Sequence, residues 1–448
     1  MTFGRRAMRF MLVGLAMAAP AFAQTPIPDP VRKAGADVIE GFRAGDLAAV
    51  EARFGQDIKA VLTHDRFVES EADFAQQRGK LVRCDEPTAS IRSDLTVVEY
   101  SCQYDKGDKV LRLVWNADVQ LVGYFYLPPK LPPVALPATV REESVTTGAT
   151  GWPLPGTFLM PTSKPKPPVV VFIQGSGPND RDETIGPNKP LADVARGLAA
   201  QGIASLRYDK RTNAQRQRFL AELKNWTIDD EIVDDAVAAL VLVSARPDMG
   251  RVFIVGHSEG AWLAPRIAAS AGRKGVKVAG VVMLAGNLTP LADLIVTQYE
   301  FAAGLPVPRA TQATVDDMKV RREHVRTLIE KGAVAGADAS LLLDMPASAW
   351  LDLGRYDPAA ALLADPKLPA LLTFGGRDFQ VPIREKALWA TRLGKRPDTT
   401  LVEFPTLNHL LIEGTGPMSA DEYGVPGHVS QALIDRVGGW IVKRSGPP

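Results

Sequence analysis

The first regular pattern of apolar positions along the chain has the spacing of helices. Apolar residues recur at three- and four-residue intervals from Asp29 to Phe42 and from Asp46 to Leu62, which places them on one helix face. Beyond residue 89 the pattern becomes β-rich, in runs separated by turn signals. These runs are Ser90-Ile91, Thr96–Tyr100, Val110–Trp115 and Val119–Tyr126. Helices followed by a strand meander predict a small α+β domain over residues 24–127.

Further along the chain, continuous apolar runs alternate with helical spacing. The runs are short and uninterrupted, as expected for parallel strands covered on both faces. They occupy residues 168–173, 203–208, 251–255, 278–284, 371–374 and 400–404, and helical patterns at 191–200, 228–244 and 259–270 lie between them. This alternation predicts an α/β domain over residues 139–448, with a mostly parallel sheet and helices on both faces.

Two segments depart from this alternation. Leu127 to Pro137 contains five prolines, a density that predicts a stiff, extended linker at residues 128–138. Residues 288–365 are rich in helical pattern and contain no convincing buried strand. We expect them to form a helical insertion in the α/β domain.

The amino terminus has the pattern of an export signal. Arg5, Arg6 and Arg9 precede the apolar run Phe10–Ala19, and Ala21-Phe22-Ala23 fits a small-x-small cleavage site. The run is too short for a membrane anchor, which needs about 20 apolar residues, and a twin-arginine signal fits the following residues poorly. We therefore predict a signal peptide at residues 1–23 and a periplasmic or secreted protein.

Composition and charge narrow the classes of partner. Apolar residues make up 46% of the 448 and charged residues 23%, as in soluble globular proteins. Of the 52 basic residues, three lie in the predicted signal peptide, which leaves 49 basic against 51 acidic residues. No basic block is present, so neither nucleic acid nor stable membrane insertion is expected.

The chain has two cysteines, Cys84 and Cys102, in the predicted strand region. In an exported protein such a pair tends to form a disulfide, and we expect a cross-strand bridge here. The alternative is two free, buried thiols. No zinc-site spacing is found, so we expect no metal and no cofactor.

The strongest chemical motif is Gly256-His257-Ser258-Glu259-Gly260. It fits G-x-S-x-G, the nucleophile elbow, in which a sharp strand-to-helix turn exposes a serine. The five-residue pattern alone is common, but here a predicted strand, 251–255, precedes it and a predicted helix follows. This context predicts Ser258 as a nucleophile.

A serine nucleophile needs a histidine base, which in this arrangement follows the acid in chain order. The five histidines are His64, His257, His324, His409 and His428. The first lies in the other domain, the second inside the elbow, and the third in the helical insertion. His409 follows the predicted strand 400–404 after a short loop, whereas His428 is expected to open the last helix as a capping or surface residue. We predict His409 as the general base.

The acid that orients the base is expected after the preceding strand. Asp378 ends the turn Gly375–Asp378, directly after the strand 371–374, where it could accept from the imidazole Nδ1–H. Asp357 and Asp365 are rivals, but neither follows a strand.

An oxyanion hole requires two backbone N–H groups. One is expected from Glu259, after the nucleophile, and the other from the loop Gln174–Pro178, with Ser176 preferred and Gly177 as the rival. Nearby, Arg181 could pair with Glu259 or Asp182 and hold this loop, or could belong to a solvated charged turn.

Several of these segments together resemble a group of bacterial secreted α/β hydrolases. Gln174–Asp182 resembles their His-Gly-Ser-Gly-Pro-x-x-Arg-Asp loop, with glutamine in place of the histidine. Further similar blocks are Tyr208–Arg211, Gly256–Gly260, Gly376–Asp378 and Asn408–Leu410. The resemblance covers residues 139–448, and the group consists of esterases related to dienelactone hydrolases and prolyl-oligopeptidase-like enzymes.

The resemblance implies an α/β-hydrolase fold and a metal-free carboxylesterase that hydrolyses small-molecule esters with short acyl chains. It also implies that residues 288–365 form a lid, although extra scaffold packing is an alternative. The amino-terminal domain resembles the cone-shaped cystatin-like and nuclear-transport-factor-like domains.

Two alternatives to an esterase are a serine peptidase and a non-catalytic binding protein. A serine peptidase of the proline-iminopeptidase or prolyl-oligopeptidase kind would use the same triad, with an acid such as Glu300 for the substrate's amino group. A non-catalytic binding protein on this fold is expected to lack a triad residue, and all three are present.

Overall fold

The computed structural model describes residues 26–446, apart from 93–94, 130, 164, 307 and 333–340. The predicted signal peptide lies outside the described residues. The chain divides into two compact units, with a boundary between Pro132 and Pro133. This boundary lies within the proline-rich stretch.

The amino-terminal unit consists of helices followed by an antiparallel sheet. The sheet has the order β1-β3-β4-β5, and β2 pairs with residues 95–99 of β3, on the same edge of that strand as β1. Apolar side chains between the helices and the sheet form its core, including Val38, Phe67, Leu111 and Trp115. The elements are α1 (Asp29–Ala44), α2 (Leu47–Glu51), α3 (Gln56–Val61), α4 (His64–Arg78), β1 (Leu81–Cys84), β2 (Thr88–Arg92), β3 (Leu95–Tyr104), β4 (Gly107–Trp115) and β5 (Leu121–Leu127).

The single helix predicted from Asp46 to Leu62 is wrong, because α2 and α3 are separate. Between them the backbone pairs with the start of β5: the Leu121 N–H donates to the Arg53 carbonyl (2.7 Å), and the Gly55 N–H donates to the Leu121 carbonyl (2.8 Å). This long-range pairing takes backbone groups that a continuous helix would need, and the apolar spacing does not reveal it.

The prediction also missed α4, whose buried face includes charged residues. Glu71 and Arg78 are both buried and form an ion pair (2.5 Å), and the Tyr124 and Tyr126 hydroxyls donate to the same carboxylate. A helix that buries a carboxylate and a guanidinium lacks the apolar periodicity on which the prediction depended.

The predicted disulfide between Cys84 and Cys102 is confirmed. The two residues lie opposite each other in the antiparallel pair β1 and β3, and their sulfur atoms are 2.03 Å apart. The bridge ties the edge strand to its neighbour.

The second unit is built on an eight-stranded sheet of order β13-β12-β11-β10-β8-β9-β7-β6. The six strands from β13 to β9 are parallel, and β7 and β6 are antiparallel at one edge. The prediction of a mostly parallel sheet is confirmed. The strands are β6 (Val140–Thr147), β7 (Leu154–Pro161), β8 (Val169–Ile173), β9 (Ala204–Tyr208), β10 (Val252–His257), β11 (Val278–Leu284), β12 (Ala370–Gly375) and β13 (Thr399–Phe404).

Helices cover both faces of this sheet. In β8, Val169, Val171 and Ile173 pack on one side with the helices α8 (Asp234–Ser244) and α9 (Glu259–Arg273). Val170 and Phe172 pack on the other side with α5 (Pro190–Ala200) and α15 (Gln431–Ser445). The alternation of sides within one apolar strand agrees with burial on both faces.

Seven further α-helices among the described residues complete the unit. They are α6 (Arg211–Ala214), α7 (Arg216–Glu222), α10 (Leu291–Ala303), α11 (Gln312–Lys331), α12 (Ala347–Gly354), α13 (Pro358–Ala364) and α14 (Arg384–Leu393). The first turn of the helix predicted at 228–244 is a π-helix, Asp229–Val233. In the predicted insertion 288–365 the described residues are helical or irregular. None of the helices in the described part of the chain has both the length and the apolar character to cross a membrane.

Candidate active site

Ser258 occupies a strained turn between β10 and α9. Its φ of 52° and ψ of −115° lie in a region that non-glycine residues rarely adopt, and such strain is concentrated at functional sites. The flanking glycines are required by close packing. A Cβ on Gly256 would lie 2.2 Å from the Gly260 carbonyl oxygen, and one on Gly260 would lie 2.3 Å from the Ile173 carbonyl oxygen.

The structure brings His409 and Asp378 into direct contact. His409 Nδ1 lies 2.7 Å from Asp378 Oδ2, and both side chains are buried. The other carboxylate oxygen, Oδ1, accepts hydrogen bonds from the backbone N–H groups of Gln380 and Val381, each 2.8 Å long. The carboxylate is therefore fixed in the turn, and its contact with Nδ1 favours the imidazole tautomer whose Nε2 can accept a proton.

His257, inside the elbow, connects the base to the loop after β8. Its Nε2 lies 2.9 Å from the His409 carbonyl oxygen, and its Nδ1 lies 3.0 Å from Glu183 Oε1. The same Oε1 also accepts the Gly175 N–H at 2.8 Å. Both ring nitrogens face oxygen acceptors, an arrangement that suits the imidazolium with a proton on each nitrogen.

The electrostatics at His257 agree with that protonation state. Burial is the strongest single influence on the pKa of His257 and lowers it. The charge and hydrogen bond of Glu183, the contact with the His409 carbonyl and the charge of Asp378 together outweigh burial, so the pKa lies above its ordinary value of 6.5. Glu183 is 2% exposed and has a φ of 53°. Sequence reasoning missed Glu183, since it is one acid in a loop and no spacing rule marks it.

Ser258 and His409 are linked through His257, whose Nε2 faces the His409 carbonyl oxygen. Among the described residues, no hydrogen bond joins the Ser258 hydroxyl to the His409 imidazole. The rings of His257 and His409 are 4.7 Å apart, and His257 immediately precedes Ser258 in the chain. Catalytic hydrogen bonds are often long in ligand-free enzymes and shorten when substrate binds.

The two predicted oxyanion donors lie on the elbow and on the adjacent loop. Glu259 begins α9, so its N–H is among the first-turn groups that have no intrahelical acceptor. Ser176 is exposed, and within the described part of the chain no group accepts its N–H. A Cβ on Gly175 would lie 3.1 Å from Ser258 Cβ, which places this loop directly beside the serine.

The partner of Arg181 differs from both predicted partners. Arg181 Nε and a terminal nitrogen donate to the two carboxylate oxygens of Asp209 at 2.8 and 3.0 Å. Glu259 lies instead near Lys210, and Asp182 pairs with Arg207 and Lys189. Charged residues at the end of β9 therefore pair with those of the loop after β8. The local sequence does not indicate this long-range pairing.

Gln174, which stands where the similar loops have a histidine, contacts the neighbouring strand. Its side-chain nitrogen donates to the carbonyl of Tyr208, the last residue of β9, and the side chain is buried. Gln174 therefore ties the loop after β8 to the neighbouring strand.

The rival residues serve local structure. His428 lies three residues before α15, so it does not open that helix as predicted, and it pairs with Asp193 at 3.0 Å. Asp357 accepts the Ala360 N–H at the start of α13, and Asp365 accepts the Lys367 N–H. In the described ranges, no group of three His, Cys, Asp or Glu residues could hold a metal ion.

Comparison with known proteins relates this chain to hydrolases. Residues 189–415, about half of the chain, match the family model described as serine aminopeptidase, S33. Esterase EstD of Thermotoga maritima is 32% identical over 359 residues, which cover 79% of this chain and 81% of that protein.

The solved structures that match this chain include esterases. Est1E from Butyrivibrio proteoclasticus has a TM-score of 0.42 and 13% identity, over 67% of this chain and 98% of that chain. An esterase from Pyrococcus furiosus has a TM-score of 0.43 and 16% identity, over 71% and 98%. On the matches to the family model and to EstD, the chain belongs to the α/β-hydrolase family described as serine aminopeptidase, S33.

Proposed function

We propose that this protein is a serine carboxylic-ester hydrolase that acts through an acyl-enzyme on short-chain esters. The activity is supported by the 32% identity to an esterase over most of both chains. The observation that supports the mechanism best is the strained Ser258 beside a loop with a free N–H, together with the His409–Asp378 pair.

In the first step, Ser258 Oγ forms a bond to the ester carbonyl carbon while His409 Nε2 takes its proton. The carbonyl π electrons move to oxygen, and the resulting oxyanion accepts from the N–H groups of Glu259 and Ser176. The tetrahedral intermediate then collapses, and the imidazolium gives its proton to the departing alcohol.

In the second step, water attacks the acyl-enzyme while His409 Nε2 takes a proton from it. Collapse of this intermediate releases the carboxylic acid and returns the proton to Ser258 Oγ. Asp378 remains ionised throughout and stabilises the imidazolium that forms in each step.

A serine aminopeptidase is the second candidate, because the matching family carries that description. An aminopeptidase needs an unpaired acid for the ammonium group of its substrate. Glu300, the acid proposed from the sequence, forms an ion pair with Lys319 at 2.8 Å, with about half of its side chain exposed. Its charge is already balanced at the surface, so we favour the esterase.

The test is hydrolysis of p-nitrophenyl esters from acetate to long acyl chains, with amino-acyl p-nitroanilides assayed alongside. We expect activity on the short esters, its loss in Ser258→Ala by several orders of magnitude, and little turnover of the anilides. Ester hydrolysis that persists in the Ser258→Ala variant would contradict the proposal, and preferential anilide hydrolysis would replace it with the aminopeptidase.

We also propose that the protein is exported to the periplasm or secreted. The proposal is supported by the charged and apolar pattern of residues 1–23 and by the Cys84–Cys102 disulfide, since disulfides persist in oxidising compartments. Fractionation of the native host should find the protein outside the cytoplasm and shortened at residue 23. A full-length chain in the cytoplasm would contradict export.

A further inference from the structure

The segment Tyr208–Arg211, at the end of β9, contains three charged residues that each hold a different part of the unit. Asp209 binds the Arg181 guanidinium. Arg211 donates to both carboxylate oxygens of Asp235 at 2.6 Å. Lys210, only 2% exposed, extends to the loop beside Ser258, and the proposed reaction steps give it no role.

The Lys210 ammonium holds one backbone carbonyl of that loop. Its Nζ donates to the Gly175 carbonyl oxygen at 2.7 Å. The Asn179 side-chain amide donates to the same oxygen at 2.9 Å. Two carboxyl groups lie close to the ammonium, since Nζ lies 3.5 Å from Glu259 Oε2 and 3.9 Å from Glu231 Oε1. These contacts give the buried ammonium oxygen partners in place of water.

The direction of this carbonyl fixes the direction of the next N–H. The peptide between Gly175 and Ser176 is planar and trans, so its carbonyl and its N–H point to opposite sides. With the Gly175 oxygen turned toward Lys210 and Asn179, the Ser176 N–H is turned away from them. Among the described residues, no group accepts the Ser176 N–H. The loop lies beside the serine, since a Cβ on Gly175 would be 3.1 Å from Ser258 Cβ.

The other side of Gly175 is fixed as well. Its N–H donates to Glu183 Oε1, the atom that also faces His257. Gly175 is therefore held at both its N–H and its carbonyl by buried charged side chains. This leaves the peptide that carries the Ser176 N–H little freedom to rotate, as a preorganised oxyanion donor requires.

We propose that Lys210 is a positioning residue of the reaction, which orients the Gly175–Ser176 peptide so that the Ser176 N–H stabilises the oxyanion. The inference rests on the proposed function, because an oxyanion forms only if Ser258 attacks a carbonyl. The ammonium also polarises the peptide through its carbonyl, which strengthens the N–H as a donor. In this proposal Lys210 acts through the peptide, by its contact with the Gly175 carbonyl.

The main test is Lys210→Met, which keeps most of the length of the side chain and removes its charge and its hydrogen bond. We expect kcat for a short p-nitrophenyl ester to fall on the order of 10- to 100-fold, less than the loss of a whole oxyanion donor. KM should stay within about twofold, because the donor acts mainly in the transition state. Affinity for a boronic acid, which forms a tetrahedral adduct with serine, should fall with kcat.

The matched control is Arg211→Met, which removes the adjacent buried cation but no contact to the loop. We expect it to lower thermal stability and to leave kcat of the folded protein unchanged. If Lys210→Met does not fold, Asn179→Ala removes the other donor to the same carbonyl from a partly exposed position. That variant should lower kcat severalfold with KM unchanged.

Three results would overturn the inference: a folded Lys210→Met variant with kcat within threefold of wild type, a loss confined to KM, or an equal loss in Arg211→Met. The failure of the proposed function is distinguishable, because then the wild type itself would not hydrolyse esters or Ser258→Ala would retain activity. A wild type that depends on Ser258 but not on Lys210 or Asn179 contradicts only this inference.

Discussion

The loops around Ser258 and the helical insertion hold their charged side chains in different ways. Around the elbow, Glu183, Lys210 and His257 are each no more than 2% exposed, and each contacts backbone atoms of a loop. In the insertion, the Lys319–Glu300 pair joins α11 to α10 with 41% and 49% of the two side chains exposed.

The difference shows which charges determine geometry. Removing one partner of a buried pair leaves an uncompensated charge, which costs about 3–5 kcal/mol. An exposed pair contributes about 0–1 kcal/mol because water screens it. The buried charges therefore fix the positions of the loops, whereas the insertion depends on apolar contacts such as those of Val325 and Leu328.

The largest effect that we expect is on catalysis, in the Asp378→Asn variant. Without the carboxylate, His409 loses both its preferred tautomer and the charge that stabilises its imidazolium, so kcat should fall by about 10⁴-fold. Steady-state kinetics on a short ester measures this. Asp357→Asn, at the exposed start of α13, is the control and should change kcat by less than about twofold. A loss of less than tenfold in Asp378→Asn would contradict the assigned role.

Loss of a buried charge should lower the free energy of unfolding more than loss of an exposed charge does, and Glu183→Gln tests this. The variant keeps an acceptor for the Gly175 N–H but removes the charge beside His257. We expect the free energy of unfolding at pH 6 to fall by about 2–3 kcal/mol, as measured by urea unfolding. A change below 0.5 kcal/mol would remove the distinction between the two regions.

The same variant should alter the pH dependence of stability. The groups that face His257 are the Glu183 carboxylate, the His409 carbonyl and ring, and, at longer range, Asp378. Because folding raises the pKa of His257, its contribution is fully present below the unfolded value of about 6.5 and is lost as pH rises through the folded value. The difference between wild type and Glu183→Gln should therefore be larger at pH 6 than at pH 9. Parallel curves would contradict the ion pair.

A smaller effect is expected where the insertion meets α9. Asp352 accepts two contacts from Arg266, at 2.9 and 3.1 Å, and the Ile228 N–H at 3.0 Å, with 20% of its side chain exposed. Asp352→Ala should lower the free energy of unfolding by about 1–2 kcal/mol and leave kcat on short esters nearly unchanged. A loss as large as that of Glu183→Gln would show that partial exposure does not reduce the cost.

The smallest effect is expected at the exposed pair of the insertion. Lys319→Ala should change the free energy of unfolding by less than about 0.5 kcal/mol. It also leaves Glu300 unpaired, so it tests the aminopeptidase alternative in the same protein. Amino-acyl anilide hydrolysis that rises in this variant would favour the alternative, whereas unchanged ester hydrolysis agrees with our proposal.

The sequence was sufficient for the parts of the fold that depend on local pattern. Uninterrupted apolar runs predicted the parallel strands, and the elbow motif predicted the turn at Ser258 between a strand and a helix. Chain order and strand ends then selected Asp378 and His409, which the structure places in contact. The two cysteines were expected to pair and do so.

What the sequence did not reveal depends on contacts between distant residues. Glu183 and Lys210 come from a loop and a strand end, and their common target, Gly175, is known only once β8 and β9 lie side by side. The predicted partners of Arg181 are Asp182 in the same motif and Glu259 in the elbow, whereas its partner in the structure is Asp209, which follows β9. The helix α4 was missed for a related reason, since its buried Glu71–Arg78 pair is completed by tyrosines of the distant strand β5.

The central claim is that Ser258 is an activated nucleophile in this folded chain. Its most direct test is treatment of the purified protein with a fluorophosphonate, followed by mass spectrometry of the peptides. We predict one covalent adduct, on Ser258, formed with parallel loss of ester hydrolysis and absent from the Ser258→Ala variant. An adduct on another serine, or full ester hydrolysis after Ser258 has been modified, would contradict the claim.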